Sequence, residues 1–165
     1  MSLNLNGAVD GTQTFSLAGL TGLSGAVTTF STAALTLQYS IKGKSYAKAQ
    51  VSGGTTPVVD FVTGVAFKAQ AISTACTYVW GFDAAGTIRL IQGVIVPWTD
   101  TSANSTAVPL PQFPDTFCPF AYSVIKNGTT GSAFTIGTSQ WSQTGITVDT
   151  PVNISRYPAA QPETA

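Results

Sequence analysis

The acid–base chemistry open to this 165-residue sequence rests on seven carboxylates: Asp10, Asp60, Asp83, Asp100, Asp115, Asp149 and Glu163. Two of them flanking a sugar linkage would suffice for glycoside hydrolysis. Nearly all lie in turn-like sequence, where Asp is favoured because its side chain bonds the local backbone. No run of alternating acidic residues offers a calcium loop. The sequence contains no histidine, which removes Ser-His-Asp and Cys-His catalysis, HExxH zinc sites and most transition-metal sites together. Gly43-Lys44-Ser45 has the ending of a phosphate-binding loop, but the leading glycine would stand at position 38, which is Gln38. Gly22-Leu23-Ser24-Gly25-Ala26 misses a nucleophile elbow at its last position. No catalytic, cofactor-binding or metal-ligating residue is therefore assigned, and no cofactor is expected.

The remaining reactive groups have structural explanations. Cys76 and Cys118 each sit inside an apolar, strand-like run. Their number and spacing do not fit zinc. Two buried free thiols are expected; the alternative, one cross-strand disulfide, requires an oxidising compartment. Asn104, Asn127 and Asn153 begin glycosylation sequons, read as chance matches in a Ser/Thr-rich chain. Tyr78, Trp80, Phe82, Trp98, Tyr122 and Trp141 would make a sugar-stacking platform if exposed. On strands, such residues are expected to form the core, or a subunit interface. Lys42, Lys44 and Lys48 are the only basic cluster. On a strand all three would share one face, expected to be solvated and to discourage edge pairing, with an anion or partner site as the alternative.

Composition narrows the class. Apolar residues make up 44% and charged residues 8%, with seven basic and seven acidic side chains; the usual charged share is about a quarter. Either the surface is neutral and Ser/Thr-rich, or much of it is covered in an assembly. Net neutrality argues against nucleic acid, whose phosphates call for clustered cations. No run approaches the roughly 18 apolar residues of a membrane helix. The start, MSLNLNGAVDG, lacks the basic and apolar regions of a signal peptide. The expectation is a protein made in the cytoplasm and kept there, or leaving by another route.

These residues must be positioned by strands. The strongest pattern is Thr74 to Val96, two aromatic and β-branched runs around Asp83-Ala84-Ala85-Gly86, which predicts a hairpin with a four-residue loop. Pairing Phe82 with Thr87 sets Trp80 across from Arg89, Tyr78 from Ile91, Cys76 from Gly93 and Val79 from Leu90. Both faces carry large apolar groups, so the hairpin belongs in the middle of a packed sheet. A second hairpin turns at Lys42-Gly43-Lys44, its first strand burying Leu35, Leu37, Tyr39 and Ile41. Val58 to Ser73 reads as two short strands, one bulged strand, or in part a helical turn over Ala66 to Ala71. Pro111-Gln112-Phe113-Pro114 is expected to cross a sheet end in extended form. Pro119 suggests an edge position or the start of a strand running to Lys126. Trp141 is expected to anchor the stretch Phe134 to Val148, and Val152 to Tyr157 to form a last short strand. The sum is all-β: one β-sandwich or jelly-roll-like barrel of about eight to ten short strands. Residues 1–30 read as an extended N-terminal arm or edge hairpin, 31–157 as the β-sandwich domain and 158–165 as a flexible tail.

Three stretches in order, TYVWGFDAAGTIRLIQG, PLPQFPDTFCPFAYSVIKNG and FTIGTSQWSQTGIT, resemble virion proteins of tailed bacteriophages. In these a hairpin precedes a P-x-x-P-D-x-x-C-P-F-x-Y-x-x-I/V-K strand and a G-T-S-x-W-x-x-T-G stretch. The resemblance covers roughly Lys42 to Val148, leaving the N-terminal arm outside. It implies a non-enzymatic structural protein, foremost a head decoration (cement) protein on the capsid surface. Its partners would be the major capsid protein and copies of itself, as a homotrimer. A head-fibre, tail-fibre or receptor-binding module is the alternative implied, and a carboxylate-based glycosidase the remote one.

Overall fold

The computed structural model describes residues 11–98 and 108–154. Among them there is no helix, and twelve strands form three antiparallel sheets. The principal sheet has the order β11-β10-β7-β8, from Ile146–Val148 (β11), Cys118–Asn127 (β10), Thr74–Phe82 (β7) and Ile88–Gln92 (β8). Val152–Asn153 (β12) also pairs with β10, and Val96–Pro97 (β9) with β7. A second sheet joins Gln13–Thr14 (β1), Thr36–Ile41 (β4) and Lys44–Ala49 (β5) in the order β1-β4-β5. A third joins Leu20–Thr21 (β2), Thr29–Thr32 (β3) and Gly54–Thr55 (β6). The expected all-β sandwich is what forms. The strands outnumber the expectation because five of them are only two residues long.

Strand β7 sets the layers. Its even residues Cys76, Tyr78, Trp80 and Phe82 enter the main core with Phe30, Leu37, Tyr39, Ile41 and Leu90. Its odd residues Ala75 and Val79 enter a second core with Ile91, Val108, Phe117, Tyr122 and Val124. Both faces are thus dry, as the sequence suggested. The cover on the second face is the proline-rich coil around Val108 to Phe117, which lies across the sheet face rather than its end. Gly81 makes that approach possible, because a methyl group there would overlap the Phe117 ring.

Strand β10 is central, although it contains Pro119. The register against β7 shifts between Pro119 and Ala121, leaving Phe120 as the extra residue of a bulge. The bulge resets the alternation: Cys118, Phe120, Ala121 and Ile125 all serve the main core, while Tyr122 and Val124 serve the second. A proline at the strand start beside a bulge omits a ladder donor where the ladder is already interrupted.

The central hairpin forms, one residue out of the expected register. Trp80 pairs with Leu90, Val79 with Ile91, Gly81 with Arg89, Tyr78 with Gln92 and Phe82 with Ile88. Thr87 belongs to the loop instead: the Asp83 carboxylate accepts from the Ala85 and Thr87 N–H groups, and Asp83 N–H donates to the Thr87 carbonyl. Trp80 therefore meets Phe30 at 5.0 Å and donates its indole N–H to Ser123, and has no contact of the cation–π kind with Arg89. The guanidinium pairs with Asp83 at 2.8 Å and lies over Phe61.

Other expectations shift in the same way. Leu35 precedes β4 and is 80% exposed, while Leu37, Tyr39 and Ile41 are buried as anticipated. Residues 57–73 hold neither a full strand nor a helix, only the bridges Val59 to Ala66, Asp60 to Leu90 and Gln70 to Phe134. From Phe134 to Gly145 the chain turns repeatedly, and only Ile146–Val148 is strand. Trp141 is the expected anchor: it is buried, packs on Phe134 and donates to the Thr29 carbonyl. The stretch expected as an extended N-terminal arm or edge hairpin packs on the body from residue 11 onward. Gln13–Thr14 pairs with β4, and Ala18, Leu20, Leu23 and Phe30 enter the main core. Residues 1–10, 99–107 and 155–165, which include the proposed tail and the end of the expected last strand, lie outside the described residues.

Candidate functional site

Each described carboxylate is engaged separately. Asp115 pairs with Lys42 at 3.0 Å, Asp149 with Lys126 at 2.9 Å, and Asp83 with Arg89. Asp60 is buried and, among the described residues, has no cationic partner. One of its oxygens accepts from Val62 N–H, Thr63 N–H and the Thr63 hydroxyl; the other accepts from Gln92 N–H. With Phe61 N–H donating to the Leu90 carbonyl, this carboxylate occupies the outer edge of β8 where a further strand would lie. The charge is balanced by convergent N–H dipoles, and its work is to hold the 60–63 turn on the sheet. Asp10, Asp100 and Glu163 lie outside the described residues. Among the described residues no cluster of three potential metal ligands exists.

The other candidates are likewise structural. Cys76 and Cys118 are free and buried. Burial pushes both thiols up to about 12, so neither offers a thiolate near neutrality. Cys76 aligns with Ile125 and Cys118 with Phe82, which places the cysteines six strand positions, roughly 20 Å, apart and beyond disulfide reach. Tyr78, Trp80, Phe82, Tyr122 and Trp141 are buried. Burial also raises the Tyr78, Tyr39 and Tyr122 hydroxyls above their ordinary range. Trp98 is half-buried with the Lys126 ammonium 5.7 Å from its ring. No aromatic platform is formed by these six. Asn127 is fully buried and donates to the Gln70 and Ser132 carbonyls. The Asn153 carboxamide oxygen accepts from Gly19 N–H, and Asn104 lies outside the described residues.

The lysine cluster leads to a concavity at the surface. Lys42 (φ 51°) and Gly43 (φ 76°) are both left-handed and make a two-residue turn between the paired Ile41 and Lys44. Lys42 leaves the strand face for Asp115. Lys44 and Lys48 stay on it, and it is the inner face: directly opposite them stand Ile41 and Leu37, and between them Tyr46 opposes Tyr39. Tyr46, Tyr39, Phe82 and Phe120 follow as neighbouring rings at 5.3, 4.7 and 4.7 Å. Beside Tyr46 opens a cleft of about 610 Å³ between Ile41–Tyr46, the hairpin loop at Asp83–Ala85, Phe61 and Thr116. Its walls are largely apolar, and its charged lining residues are Lys42, Lys44 and Asp83. Lys44 sits 5.5 Å from the Tyr46 ring. Neither Lys44 nor Lys48 has a carboxylate partner among the described residues. Such a cleft can hold apolar and anionic groups. Phe61, Thr116 and the Asp83–Ala85 loop were not legible as neighbours, because three separate segments bring them together and no motif links those segments.

No protein-family model, curated protein or solved structure matches the chain.

Proposed function

We propose that this protein is a non-enzymatic structural component of a bacteriophage virion. The specific role is a decoration (cement) protein on the outside of the head, bridging major capsid subunits as a homotrimer. The three ordered stretches that resemble phage virion proteins motivate this reading. The observation in the fold that favours it is the outer face of the β1-β4-β5 sheet. Thr36, Gln38, Ala47 and Ala49 lie on that face with Phe15, whose N–H donates to the Gln38 carbonyl. No charged side chain stands on the β4 or β5 residues of this face. Phe15 (55%), Leu17 (67%) and the adjoining Leu35 are largely exposed. An uncharged sheet face edged by exposed apolar groups is suited to burial against another protein. The engagement of every described carboxylate in a structural bond weighs against the glycosidase. The burial of Trp80 and Trp141 weighs against a sugar-binding fibre module built on those two rings.

Copy number is the test. Quantitative proteomics of purified particles of the encoding phage should find hundreds of copies per virion. A few to some tens of copies would favour the fibre reading. Absence from particles would end the structural one.

A further inference from the structure

We propose that the free edge of β5 is a strand-addition site for a partner protein, selective for an extended segment of the pattern acidic–x–apolar–x–acidic.

The backbone defines the edge. β5 ends its sheet. Gln50 N–H donates to the Leu35 carbonyl, and hydrogen-bonded positions alternate along an antiparallel pair. Lys48, Tyr46 and Lys44 therefore turn their N–H and C=O groups toward β4, and Ser45, Ala47 and Ala49 turn theirs outward. None of these three has a backbone hydrogen-bond partner beyond β4 among the described residues, and all three are exposed. This is the ladder that an incoming strand would continue.

The side chains define the sequence it would take. An antiparallel strand bonded to Ser45, Ala47 and Ala49 places alternate residues directly opposite Lys48, Tyr46 and Lys44, on the same face. Two cations two positions either side of an aromatic ring call for two carboxylates either side of an apolar side chain. Among the described residues Lys44 and Lys48 have no carboxylate of their own, and the apolar cleft continues the face at the Lys44 end. The same lysines act against self-pairing. Two β5 edges overlapped about Tyr46 would set Lys44 against Lys48 twice, a repulsive pairing. No segment of this chain supplies the pattern either: its two nearest acidic residues, Asp149 and Glu163, are fourteen positions apart. The occupant proposed is a partner protein that carries the pattern. This holds whether or not the chain belongs to a virion.

The test uses the full chain, ¹⁵N-labelled, and three blocked heptapeptides. Thr-Asp-Thr-Phe-Thr-Asp-Thr carries the pattern. Asp-Thr-Thr-Phe-Thr-Thr-Asp has the same composition with both acids moved to the other face. Thr-Lys-Thr-Phe-Thr-Lys-Thr reverses the charge. The first should give saturable shifts and slowed exchange at the Ser45, Ala47 and Ala49 amides. It should bind about tenfold more tightly than the second, the worth of two cross-strand ion pairs. K44E/K48E should transfer the preference to the lysine peptide. Ala47→Pro removes an outward N–H and leaves the β4 ladder intact, so it should abolish binding with the melting temperature nearly unchanged. No saturable shift at millimolar peptide, equal binding of the first two peptides, or shifts that leave these three amides unmoved would overturn the proposal. So would dimerisation through β5, seen as intermolecular contacts at the same amides.

Discussion

The two hairpins of this molecule have similar inner faces and opposite outer edges. In β7–β8, Tyr78, Trp80 and Phe82 line the main core, and the β8 edge is closed by Asp60 and the Phe61 backbone. In β4–β5, Tyr39 and Tyr46 point the same way, yet among the described residues the β5 edge carries only its own exposed backbone, flanked by Lys44 and Lys48. One edge is sealed by a buried carboxylate that mimics a strand. The other is left open and guarded by charge. The first device secures the sheet permanently; the second excludes like strands while leaving room for an unlike one.

The comparison breaks most visibly in the core. Trp80→Ala should cost about 3–5 kcal/mol of unfolding free energy, measured by denaturant titration. A loss under about 1 kcal/mol would mean that the first hairpin is no more buried than the second. Asp60→Ala should cost about 2 kcal/mol, since it strands the donors that converge on the carboxylate, and should bring aggregation as the β8 edge opens. A variant that stayed monodisperse with unchanged stability would remove the seal from the argument. The thiols sharpen the contrast by pH. Both lie in the principal sheet, and their folded pKa is raised to about 12 from 9.0. Stability is fully present below pH 9 and falls as pH rises from about 9 toward 12, where the unfolded thiols ionise and the folded ones do not. Cys76→Ala should recover about 1 kcal/mol of the loss seen between pH 8 and pH 10. An identical slope in wild type and variant would count against its burial. The smallest effect belongs to the open edge: Lys44→Glu should change stability by less than about 0.5 kcal/mol. A larger loss would make Lys44 a structural residue of its hairpin.

Much of the architecture is legible in local pattern. Alternation marks β4, aromatic and β-branched runs mark β7 and β8, the Lys42-Gly43 turn declares itself, and the missing histidine leaves few chemical options. What local pattern does not carry is set by distant contacts. Thr87 looks like a strand residue, and only the Asp83 carboxylate draws it into the loop and moves the register by one. Phe120 continues an alternating run, and only its packing against Phe82 reveals the bulge. Pro111 to Phe117 has no strand signal, yet it covers a whole sheet face because Gly81, some thirty residues earlier, leaves room. The cleft was illegible for the same reason: Tyr46, Phe61, Ala84 and Thr116 share no spacing. The lysines were legible as a strand face, but whether that face points inward depends on which side of β4 the core occupies.

Thr14 donates its hydroxyl to the Ile154 carbonyl, and Gly19 N–H to the Asn153 side chain, across 140 and 134 positions. The earliest described strands are therefore finished by the latest ones. During synthesis, β1 and β2 must wait for nearly the whole described chain to emerge before these bonds can form. Closing so large a loop is slow. Pulse-labelled hydrogen exchange during refolding should find the Gly19 amide among the last to gain protection. The order in which this fold locks would then run opposite to the order in which its residues are made.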